Sequence, residues 1–143
     1  LKKQFHYGII IAMSESESLP LSALTRPLLA ALRSLPGTRA AAWLILEEDE
    51  YETRFGDGRF LYPSSASLDE AVARARLAEL AAFDAECRKD PRNLGRFYSL
   101  KRIELLRDES QDRLRAEFQR DVDERFTLED VVRLLRPSPT PEA

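Results

Sequence analysis

Apolar positions along the chain come in short blocks whose spacing changes between the strand period and the helix period. Residues 5–13 (FHYGIIIAM) are apolar on both alternating faces with β-branched residues at the centre, which predicts a strand covered on both sides. The polar run 14–18 (SESES) is expected to end that strand. Leu21, Leu24, Leu28, Leu32 and Leu35 then recur at helical spacing. Pro27 falls inside this row, and a proline beyond the first turn would lose a hydrogen bond and clash. The helix is therefore expected to be capped at Thr25 and to run to Leu35, with Pro36 and Gly37 as its stop. Residues 40–46 (AAAWLIL) predict a second buried strand that continues into Glu47, Glu48, Asp49 and Glu50. Residues 51–55 and 59–62 flank Gly56, Asp57 and Gly58, whose glycines predict the turn of a hairpin.

Ser67 and Glu70 have capping-box spacing and predict the start of an alanine-rich helix to about Arg88. Leu68, Val72, Leu80, Phe83 and Cys87 mark its apolar side, Glu70–Arg74 and Asp84–Arg88 are favourable pairs four apart, and Asp90-Pro91 ends it. Residues 97–106 fit a strand and a helix equally well. From Asp108 a densely charged stretch carries the single row Leu114, Phe118, Val122 and Phe126, read as a helix with one narrow apolar stripe. A last helix is expected behind Thr127 as cap, with Leu128, Val131, Val132 and Leu135 apolar, before the proline-rich tail 137–143.

This order predicts an α+β protein: a small antiparallel sheet packed with helices, ferredoxin-like in element order, plus a C-terminal helical arm. With no internal repeat and no linker, the division expected is one domain over 1–136, its core at 5–106 and its arm at 108–136.

Composition narrows the class. The chain has 143 residues, 43% hydrophobic and 33% charged, which suits one globular domain with a real core. No apolar run approaches the length that crosses a bilayer, and neither end carries a readable export signal, so a soluble protein in the cytoplasm is expected. A net charge of −3 argues against the whole chain being a polyanion binder.

The candidate chemistry is thin. Cys87 is the sole cysteine and His6 the sole histidine, which leaves no internal disulfide, no set of transition-metal ligands and no paired general base. No catalytic residue, metal or cofactor is assigned. Glu47, Glu48, Asp49, Glu50 and Glu52 form the densest acidic cluster. Consecutive strand carboxylates point to opposite faces, so the cluster is expected to be a solvated strand end or a docking edge for a basic partner rather than a cation site. Arg88, Lys89, Arg92, Arg96, Lys101, Arg102 and Arg107 make the one basic region, with Phe97 and Tyr98 inside it. Such a mixture serves a protein interface, a nucleic-acid surface, or a connector with aromatics inside and arginines in water.

The reading that ranks first is a non-catalytic protein-binding module, an adaptor, inhibitor or regulatory subunit acting on a larger machine. Its expected contacts are Arg92, Arg96, Phe97, Tyr98, Lys101, Arg102, Glu47, Glu48, Asp49 and Glu50. A nucleic-acid accessory protein using residues 88–107 ranks second. A small ligand-binding domain or enzyme, with carboxylates or Tyr51 and Tyr62 beside His6, ranks third. Self-association through a 108–126 helix is a further expectation.

Overall fold

The computed structural model describes residues 14–53, 56–92 and 96–135. Five strands, β1 (Ser14–Pro20), β2 (Arg39–Thr53), β3 (Gly56–Ser67), β4 (Phe97–Asp108) and β5 (Arg113–Gln119), form one curled antiparallel sheet in the order β1-β5-β4-β2-β3. Among the described residues three helices accompany it: α1 (Arg26–Ser34), α2 (Glu70–Cys87) and α3 (Leu128–Leu134). The protein is thus mixed α+β. From β1 to β4 the elements follow one another as strand, helix, strand, strand, helix, strand, but the sheet departs from a ferredoxin-like one. β1 and β2 run antiparallel with β5 and β4 between them, so α1 is not the crossover of a parallel βαβ unit.

The inner face of the curl holds the core. Ala42, Leu44 and Leu46 of β2, Ile103 and Leu105 of β4, and Leu114, Ala116 and Phe118 of β5 alternate onto this face and are buried. Leu28 and Leu32 of α1 and Leu128 and Val131 of α3 close over them. The expected start of α1 holds: Thr25 is its cap, accepting a bond from the Leu28 amide at 3.3 Å, and Pro27 sits in the first turn where it costs no hydrogen bond. Thr127 likewise caps α3, in a reciprocal box with Asp130. Burial works to raise the Asp130 carboxyl, but hydrogen bonds from Thr127 and the nearby Arg133 outweigh it and hold the group below its ordinary value.

Behind β5 the chain swings across to the far edge of the sheet. The Leu61 amide donates to the Asp123 carbonyl at 2.8 Å, and the Arg125 amide to the Leu61 carbonyl at 2.7 Å. α3 then touches both β3 and β1, the two outermost strands.

Several expectations need correction. The helix over 108–126 is not there. A 3-10 turn at Glu109–Gln111 and a left-handed Asp112 (φ 55°) lead directly into strand β5. Leu114 and Phe118, four apart, fit a helix and a strand alike. Ala116, buried between them, shows the period to be two, and Val122 is exposed instead of extending the row. Among the described residues there is accordingly no 108–126 helix to carry self-association, and of the expected C-terminal helical arm only the helix behind Thr127 is present, as α3. Residues 97–106 are strand.

The polar run SESES forms strand β1 rather than ending one. One carboxylate oxygen of Glu17 accepts from the Leu128 amide at 2.7 Å, where a helix N-terminus favours negative charge, and the other faces the Arg120 guanidinium. Gly56 (φ 123°) and Gly58 belong to β3 rather than to a hairpin turn, and residues 54–55 between β2 and β3 lie outside the described residues. The cap of α2 is Asp69, whose side chain accepts from the Ala71 and Val72 amides, not Ser67. Phe83, expected on the apolar side of α2, is 67% exposed. The strand expected at 5–13, His6, and the tail 137–143 lie outside the described residues.

Candidate functional site

Among the described residues the outer face of the sheet is covered by α2, which lies across β4, β2 and β3. Its contact row is Ala73, Leu77, Leu80, Asp84 and Cys87, and only Ala73 is fully buried. This row is spaced like a coiled-coil seam but carries a carboxylate, Asp84, near its end, and that carboxylate organises the site.

The β2–β4 register sets Glu47 opposite Tyr98 and Glu48 opposite Phe97, so the acidic and basic segments that lie far apart in sequence become neighbours in the sheet. Glu47 is 7% exposed, which corrects the expectation of a solvated strand end. Its Oε2 accepts from the Tyr62 hydroxyl at 2.7 Å and from the Arg96 guanidinium. Burial, with the Glu47 hydrogen bond and charge, pushes the Tyr62 phenol up to about 12. The Tyr98 phenol is also pushed up, by burial first and the Glu47 charge second. Both phenols are therefore kept neutral at ordinary pH.

Asp84 closes the assembly from the helix. One carboxylate oxygen accepts the Arg96 amide at 2.7 Å and the other pairs with Arg88 Nε at 2.7 Å. Arg88 donates onward to the Arg96 carbonyl at 3.1 Å and lays its guanidinium 4.6 Å from the centre of the Phe97 ring. Phe97 is itself 51% exposed. Ala81, Asp84, Ala85, Arg88, Arg96, Phe97 and Tyr98 line an open groove of about 340 Å³ between the helix and the start of β4. Small alanines at 81 and 85 leave that room; larger residues there would fill it.

The other expected contacts are scattered. Arg92 grips Asp90 beyond the groove. Lys101 points to the inner face, 3.0 Å from the buried carboxylate of Glu124. Arg102 lies over the Trp43 ring at 5.8 Å. Glu48 pairs with Arg59 at 3.0 Å, Asp49 stands opposite Phe60, and Glu50 stands opposite Arg59 in the strand register. Of the expected contacts, the structure brings together Glu47, Arg96, Phe97 and Tyr98, and adds Asp84, Arg88, Tyr62, Ala81 and Ala85.

Among the described residues, no group of three or more His, Cys, Asp and Glu side chains is placed to hold a metal ion, and no helix is long and apolar enough to cross a membrane. No family model matches the chain, and no curated protein or solved structure shows significant similarity to it.

Proposed function

We propose that this chain is a non-catalytic protein-binding module that receives a partner protein at the groove between the C-terminal half of α2 and the start of β4. The observation that carries the reading is Phe97. It is a large ring left half in water, flattened against a guanidinium that two further bonds hold still, beside a groove floored by alanines. Rigid aromatic and arginine anchors next to an unfilled pocket are the pattern of protein-contact hot spots.

The charges weigh against nucleic acid. Each cation of the basic region has a carboxylate close by: Arg88 with Asp84, Lys89 with Glu86, Arg92 with Asp90, Arg96 with Glu47, Lys101 with Glu124, Arg102 with Glu104 and Arg107 with Glu109. A phosphate backbone would meet a nearly cancelled field instead of the unpaired basic face that drives counterion release. A cytoplasmic setting belongs to the same proposal, supported by a single cysteine and the absence of any internal disulfide.

The test compares wild-type protein with Phe97→Ala in capture from lysate of the source cells, with and without nuclease. A protein retained in stoichiometric amount after nuclease and lost with Phe97→Ala, at unchanged melting temperature, is expected. Retention that disappears with nuclease moves the reading to nucleic acid. Equal retention by both proteins removes this face from the proposal.

A further inference from the structure

Strand β4 outruns the strand beside it. β2 pairs with β4 over Arg39 to Glu48, reaching Phe97, whereas β5 pairs only from Glu104 to Asp108. The two strands part where Glu104 and Glu117 stand directly opposite, a like-charge pair that disfavours further zippering. Just beyond, Lys101 Nζ reaches across to the Gln119 carbonyl at 2.6 Å and to Glu124 at 3.0 Å, closing the fork. Residues 97–100 continue past it, and among the described residues no strand pairs with them on that side.

The groove lies at this same end. Phe97 and Tyr98 are successive strand residues that project to opposite faces, and both line the groove, which therefore reaches round the start of β4. The opposite margin is already taken by β2.

We infer that the open margin of β4 takes an extended segment of the partner as an added strand, with one large apolar side chain of that segment seated in the groove against Phe97. The inference rests on the protein-binding reading above and gives it a mode. In strand addition the main chain supplies affinity and pockets for alternate side chains supply selectivity. The seated side chain is uncharged because the cations of the groove, Arg88 and Arg96, are already matched by Asp84 and Glu47. An acidic side chain would have to displace one of those carboxylates, and a basic one would meet two guanidinium groups.

The full chain is used to select from a displayed library of random peptides, and selected peptides are resynthesised with single N-methyl groups along their length. Amide hydrogen exchange is followed over residues 97–100 with and without peptide. The expected peptides alternate in character, carry one apolar anchor and lose binding when methylated at every second position only. They slow exchange at alternate β4 amides and bind Phe97→Ala roughly tenfold more weakly. Slow exchange of all the amides at 97–100 in the free chain would mean that the margin is already occupied, and overturns the inference. Phe97-dependent peptides without methylation periodicity overturn strand addition while leaving the protein-binding reading in place. If no peptide depends on Phe97, both fall.

Discussion

On the inner face of the sheet, Leu44, Ile103, Leu105 and Leu114 meet α1 and α3 and are sealed from water. On the outer face, Ile45 is the only one of the largest sealed side chains among the described residues, and the helix above it buries Ala73 alone. Beneath the end of that helix, in place of leucine, sit a carboxylate, two phenols and an arginine. The inner face has the aliphatic density that stabilises a fold. The outer face is held by a few directional bonds, and it is there that a groove and an exposed ring remain. One side of the sheet holds the molecule together, and the other is left available.

Substitutions on the two faces should therefore separate by size. Leu44→Ala leaves a cavity in the inner core and should cost about 2–5 kcal/mol, read from the denaturation midpoint. A loss below about 1 kcal/mol would mean that the inner face is not the stabilising one.

Tyr62→Phe removes one hydrogen bond to a carboxylate and should cost about 1–2 kcal/mol. It also has a pH signature. A phenol whose folded pKa stands above the unfolded value of about 10 favours the folded state at all lower pH, and that contribution is lost as pH rises through the folded pKa of about 12. Wild-type stability should therefore decline across that alkaline window. The decline should be shallower in Tyr62→Phe, with Tyr98 supplying the remainder. Identical alkaline profiles would remove Tyr62 as its source.

Phe83→Ala on the exposed flank of α2 should move stability by no more than about 0.5 kcal/mol in thermal melts, because little of the ring leaves water on folding. A larger loss would show that the outer flank takes part in folding after all.

The features legible from sequence were the local ones. Thr25 and Thr127 announce their helices because a cap and its amides lie within one turn. Strand β5 was hidden because a spacing of four is both twice the strand period and close to one helical turn, so Leu114 and Phe118 decide nothing without Ala116. Strand β1 was hidden because the partners that make its polar residues tolerable, Arg113, Arg120 and Leu128, lie about a hundred residues away. At the site, Arg96, Phe97 and Tyr98 stood out by type. What no local pattern gives is that Glu47, 49 residues before Arg96, is its partner, or that Asp84 ties helix to strand. The alanines at 81 and 85 read as helix formers, and their second role appears only where a larger side chain would fill the groove.

Strand β1 leaves the ribosome well before its sheet partner β5, with 95 residues separating Ser18 from the Arg113 that grips it. At translation speeds that interval is roughly 5–20 s, during which β2 and β3 can already zip locally. An apolar strand kept waiting so long would offer itself to any exposed edge nearby. Glu17 and Ser18 stay in water without harm and recruit Arg113, Arg120 and the Leu128 amide only when those later residues emerge. The polar character of SESES thus suits a strand that is synthesised well before the partners that seat it.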